Sequence, residues 1–133
     1  DGPDRKNLEH RIKKLEADNI KFIGRISDEE LARCYASSKA LIFPQEEDFG
    51  LAAVEAMSFG KPVIAFRSGG ALEIVKEGET GVFFDRQTPE SLIQAVNNFN
   101  SKDFDSEKIK ETAKNFSQEI FKGKIKKFIE TLT

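Results

Sequence analysis

The strongest constraint in this chain is a repeated alternation of short apolar runs with helical patterns. From residue 39 onward the sequence reads "KALIFP", "FGLAAVEAMSFG", "KPVIAF", "ALEIVKEG", "TGVFFD" and "TPESLIQAVNNF". Runs this short that are apolar on both faces belong in a parallel sheet covered by helices. Upstream, "NIKFIG" is expected as a further strand closed by Gly24. "SDEELARCYASS" reads as a helix with Ser27 as N-cap and Glu30 three residues later. "DRKNLEHRIKKLEAD" carries Leu8, Ile12 and Leu15 at helical spacing and reads as a surface helix. The predicted order is α-β-α-β-α-β-α-β-α. Right-handed crossovers then give a Rossmann-like, doubly wound parallel sheet flanked by helices, an α/β fold whose ligands bind beyond the carboxyl ends of its strands. Three loops become candidates: after Gly24, after Phe43-Pro44 and after Phe66.

A chain of 133 residues is long enough for one core, so residues 1–133 are read as one domain. Its last segment, 104–133, is expected as one or two helices packed on it, broken near Phe116-Ser117. There, Phe121, Ile125, Phe128, Ile129 and Leu132 form an apolar stripe among Lys122, Lys124, Lys126 and Lys127. Such a helix can rest on an anionic membrane, although packing on its own domain is the plainer reading. The net charge of −2 gives no electrostatic basis for nucleic-acid binding. The single cysteine, Cys34, fits a reducing cytoplasm. It lies on an amphipathic helix, and the one histidine, His10, falls in a charged helical stretch. A buried structural thiol is therefore expected rather than a nucleophile. No apolar run reaches the ~20 residues that span a bilayer. The chain opens "DGPDRK" without a methionine, and is read as part of a longer protein.

The chemistry concentrates in "FPQEEDFGLAAVEAMSFG". Glu55 stands among Leu51, Ala52, Ala53, Val54, Ala56, Met57 and Phe59, and a buried carboxylate needs a partner. Glu47 lies eight residues earlier, in the loop before the helix. A helix start offers unpaired amides and the positive end of a dipole, a seat for phosphate, and Gly50 there lets a ligand approach the backbone. A carboxylate on each side of that seat can accept hydrogen bonds from the hydroxyls flanking a diphosphate, the layout of a nucleotide sugar. The plainer alternative pairs Glu55 with a lysine or arginine and leaves Glu47 solvated. "RSGGALE" repeats the strand–glycine–helix pattern and could bring Gly69 and Gly70 to the same ligand. Glu73 reads as a first-turn acid complementing the helix dipole. The "DFD" at Asp103 to Asp105 reads as a helix cap through Asp105 or Ser106. The acidic run Glu46-Glu47-Asp48 reads as solvated, so no metal site is expected.

The stretch from Gly2 to about Phe99, above all the E-x7-E element "EDFGLAAVE" followed by "AMSFGKPVIA", resembles the C-terminal half of GT-B retaining glycosyltransferases of family 4, the glycosyl transferases group 1. The resemblance implies that Glu55 binds the ribose of the nucleotide. Glu47 lies against the transferred sugar and is the candidate nearest the chemistry. Backbone groups at Phe49, Gly50 and Leu51 touch sugar or diphosphate, and the loop at Arg25 and Ile26 holds the base. It implies a nucleotide-sugar substrate, GDP-mannose or a UDP-hexose, and no further cofactor. "EEDFG" is similar to mannosyltransferase-like members, which makes GDP-mannose the preferred donor.

The resemblance also implies an N-terminal acceptor domain of about 150 to 200 residues, absent here together with the Arg and Lys that neutralise the leaving diphosphate. This chain alone is therefore expected to hold a donor without useful turnover. The implied setting is polysaccharide or lipid-linked glycan synthesis in the cytoplasm, at the inner face of the membrane. A non-catalytic nucleotide-sugar binding module is the alternative. A receiver-like signalling domain is disfavoured, because the strand ends "FIG", "IFP" and "AFR" carry no acceptor Asp.

Overall fold

A computed structural model describes residues 4–16 and 18–116. The chain divides between Cys34 and Tyr35 into two compact units. The first holds helix α1 (Arg5–Lys14) and the opening turns of α2 (Asp28–Ser37). α1 has no buried residue, as expected of a surface helix, and Arg5 pairs with Glu9 at 2.7 Å. Ser27 Oγ accepts the Glu30 amide at 3.2 Å, so α2 starts at the expected cap. Cys34 is half-buried, where a buried structural thiol is expected.

The stretch around "NIKFIG" corrects the sequence reading. Residues 20–24 form no strand, and Ile20, Phe22 and Ile23 are exposed. An apolar run becomes a strand only where a neighbouring edge completes its backbone hydrogen bonds. Among the described residues, no sheet strand pairs with this run.

The second unit contains a three-stranded parallel sheet, β1 (Leu41–Phe43), β2 (Val63–Phe66) and β3 (Gly81–Phe84), in sequential order. Leu41 lies opposite Val63, and Val63 opposite Gly81. The connections carry α3 (Leu51–Ser58) and the short α4 (Ala71–Ile74), and α5 (Pro89–Asn98) follows β3. This is the α/β layering that the alternating runs predict. β2, with neighbours on both sides, is buried over Val63–Ala65, whereas Ile42 on β1 is 45% exposed. Thr88 caps α5, its Oγ1 accepting the Ser91 amide at 3.3 Å, with Pro89 in the first turn. "ALEIVKEG" makes a single helical turn, because Val75 turns extended and Thr80 Oγ1 takes the Lys76 amide at 2.8 Å.

One core unites these elements. Met57 and Ala53 of α3, Phe43 of β1, Val63 and Ala65 of β2 and Ile74 of α4 are its centre. A helix over residues 106–116, α6, adds Ile109 and Ala113. Asp105 caps α6 as expected, its carboxylate accepting the amides of Glu107 at 3.0 Å and Lys108 at 3.4 Å. The predicted apolar stripe from Phe121 to Leu132 lies outside the described residues. Among the described residues, no helix is long and apolar enough to cross a membrane.

Met57 is fully buried and anchors α3 on the sheet. Met57→Ala is expected to lower stability by about 2–5 kcal/mol, read as a fall in the urea midpoint with an unchanged slope.

Candidate functional site

Parallel pairing of β1 and β2 sets their carboxyl ends side by side, so the loops that leave them must meet. They meet backbone to backbone. The Gly70 amide donates to the Glu47 carbonyl at 2.6 Å. A Cβ on Gly70 would lie 2.5 Å from the Asp48 carbonyl oxygen, and one on Gly69 2.7 Å from that of Glu47. Gly69 also has a φ of +62°, in the left-handed region. The glycine pair is thus explained first by loop-to-loop contact, and the Gly70 amide is already engaged with Glu47. Further bonds tie the first loop: Gln87 Nε2 donates to the Pro44 carbonyl at 3.0 Å, and Gln45 Nε2 to the Glu47 carboxylate at 3.2 Å.

The loop delivers the chain into α3 through Gly50, whose φ is +52°. Its missing side chain faces Ile74, whose Cδ1 would stand 2.9 Å from a Cβ. Gly50 is therefore buried for packing and for its turn, two demands that the residue type alone did not separate from ligand approach. The N-cap of α3 is Gly50 itself, which has no side chain to offer the first-turn amides. Phe49 and Leu51 are 37% and 40% exposed beside it.

Along α3, Ala53, Val54, Ala56 and Met57 face the core, while Leu51, Glu55 and Ser58 are exposed. This corrects the premise that Glu55 is buried: helical periodicity turns it outward despite apolar neighbours in sequence. It stands one turn beyond Leu51 on the same face, about 6 Å along the axis from the helix start. Among the described residues, its hydrogen-bond partner is a tyrosine rather than a lysine or arginine. Tyr35, in the last turn of α2, donates its hydroxyl to Glu55 Oε2 at 3.2 Å. The ring of Tyr35 stacks on Phe59, with centroids 5.4 Å apart. Partial burial, and then the charge and hydrogen bond of Glu55, raise the Tyr35 pKa above its ordinary value of 10.0.

Arg67 opens the second loop and anchors it. Its amide donates to the Phe84 carbonyl at 3.0 Å. Its guanidinium pairs with Asp85 at 2.6 Å and Glu77 at 3.0 Å, and lies over the Phe83 ring at 4.7 Å. Hydrogen bonds to Asp85 and then Glu77 raise its pKa.

The structure therefore brings Glu47, Phe49, Gly50, Leu51, Glu55, Gly69 and Gly70 into one unit, around the start of α3. Arg25, exposed, and Ile26, half-buried, lie in the other unit, in the turn before α2. Among the described residues, no group of three or more His, Cys, Asp or Glu side chains is placed to hold a metal ion. The sequence alone singled out neither Tyr35, which bonds Glu55, nor Arg67, which anchors the second loop. Tyr35 lies 20 positions before Glu55, a pairing that no local motif encodes.

A parallel sheet flanked by helices is the Rossmann-like α/β layering of the GT-B kind. The chain belongs to the glycosyl transferases group 1, whose family model matches residues 1–116. An uncharacterized glycosyltransferase of Methanocaldococcus jannaschii is 34% identical over 100% of this chain and 39% of its own length. The chain thus spans about two fifths of that relative. Among solved structures, sucrose-phosphate synthase from Thermosynechococcus elongatus superposes with a TM-score of 0.74 at 25% identity. It covers 99% of this chain and 36% of that protein. HepE of Anabaena, in complex with UDP-glucose, gives 0.67 at 28% identity over 85% of this chain and 32% of HepE.

Two measurements check this geometry. Gly70→Ala forces a methyl against the Asp48 and Glu47 carbonyls, and is expected to cost about 1–3 kcal/mol in a urea titration. Tyr35 is the one tyrosine, and there is no tryptophan, so phenolate absorbance titrates it alone. Its midpoint is expected above 10.0, and Glu55→Gln should lower it part of the way, because burial is the larger cause. A raised pKa favours the folded, protonated form. That contribution is complete below the unfolded value and fades as pH rises through the folded one.

Proposed function

We propose that this chain is the donor-binding part of a retaining glycosyltransferase that moves a hexose from a nucleoside diphosphate sugar to a glycan or lipid-linked acceptor. The observation that carries the reading is the start of α3 at Gly50, with Glu47 before it and Glu55 one turn beyond Leu51 on the exposed face of the helix. The diphosphate sits at that start, where amides and the helix dipole favour negative charge. Glu55 accepts from the ribose hydroxyls and Glu47 from those of the transferred sugar, beside Phe49 and Leu51. By family resemblance Arg25 and Ile26, which belong to the first unit, are the candidates for the base.

The UDP-glucose complex of HepE supports a UDP-hexose as the donor, and GDP-mannose is the competing assignment from the "EEDFG" variant. Acceptor recognition and neutralisation of the leaving diphosphate are assigned to parts of the transferase beyond these 133 residues. Stabilising that developing charge is a large share of catalysis, so the chain by itself binds donor without turnover.

Calorimetric titration of the chain with UDP-glucose and GDP-mannose tests the reading. Glu55→Ala is expected to weaken the preferred donor about tenfold, the loss of one charge-assisted hydrogen bond. Equal binding by wild type and Glu55→Ala would falsify the ribose assignment.

A further inference from the structure

We infer that Tyr35 is a positioning residue, whose hydroxyl holds the Glu55 carboxylate in the orientation that receives ribose hydroxyls. The inference rests on the donor-binding reading and adds to it a residue that contacts the ribose only through Glu55. An exposed glutamate on a helix is free to sample several rotamers, and ordering such a side chain on binding costs up to about 1.5–2 kcal/mol. A neighbour that fixes the carboxylate beforehand removes part of that cost.

Tyr35 is suited to this task on three counts. Its hydroxyl donates to one oxygen, Oε2, at 3.2 Å. An ionised carboxylate offers about four acceptor sites on two oxygens, so Oε1 and a lone pair of Oε2 remain for two adjacent hydroxyls. Its ring is itself held, stacked on Phe59 with 21° between planes and packed against the core. And it belongs to a different helix from Glu55, so the bond fixes the carboxylate relative to a second element rather than to α3 alone.

The competing role is structural, with the bond merely tying the end of α2 to α3. Tyr35→Phe separates the two, because it keeps the ring and its stacking and removes only the hydroxyl. Dissociation constants are measured for UDP and GDP, each with its 2′,3′-dideoxy analogue. The proteins are wild type, Tyr35→Phe, Glu55→Gln and the double variant, with thermal melts as the folding control. Tyr35→Phe is expected to weaken the preferred nucleotide about three- to tenfold. It should leave the dideoxy analogue unchanged, and add nothing in the Glu55→Gln background.

Unchanged affinity in Tyr35→Phe, with Glu55→Gln weakened, overturns the positioning role and leaves the donor reading standing. An equal loss for nucleotide and dideoxy analogue also overturns it, in favour of the structural role. If Glu55→Gln binds as well as wild type, the ribose assignment falls, and if wild type binds neither nucleotide, the donor reading falls; the positioning role falls with either.

Discussion

The second unit depends on the place where two loops touch through their backbones. The Gly70 amide bonds the Glu47 carbonyl, and neither Gly69 nor Gly70 has room for a side chain. That contact fixes where the first loop can run, and hence the angle at which Gly50 turns the chain into α3. The same loop leads into the start of α3, where Gly50 packs on Ile74. A buried backbone amide needs an acceptor, and here satisfying one loop also aligns the other.

Electrostatics at this end of the sheet are divided in an instructive way. Arg67 is the cation beside the second loop, yet Asp85, Glu77 and the face of Phe83 already engage it. The positive character of the α3 start comes from aligned peptide dipoles instead. Carboxylates nearby, Glu47 and Glu55, are turned to solvent and partnered by neutral donors, Gln45 and Tyr35. They keep acceptor capacity that a lysine or arginine partner would have taken.

Much of this was legible in the sequence, and for a physical reason. β2 is apolar on both faces because it lies buried between two neighbouring strands, and caps such as Ser27, Thr88 and Asp105 act within a few residues of their own helix. What was not legible depended on partners distant in the chain. "NIKFIG" has the composition of a strand, but composition cannot supply a neighbouring edge. Glu55 looked buried because its sequence neighbours are apolar, whereas the helix turns Ala53, Val54, Ala56 and Met57 to the core and Glu55 outward with Leu51. The glycine pair suggested a ligand contact, and the Glu47 and Asp48 backbone proved to occupy the space. Tyr35 was invisible as a site residue because its bond to Glu55 is purely tertiary.

The strands enter the sheet in the order in which they occur in the chain. Each finds its neighbour about 20 residues away, Leu41 with Val63 and Val63 with Gly81. The entropy of closing a loop grows only slowly with length, and pairings this near in sequence keep contact order low for a parallel sheet. Each strand–helix–strand segment can therefore close on an edge its predecessor has already built, so the folding of this unit can proceed by accretion from one strand to the next.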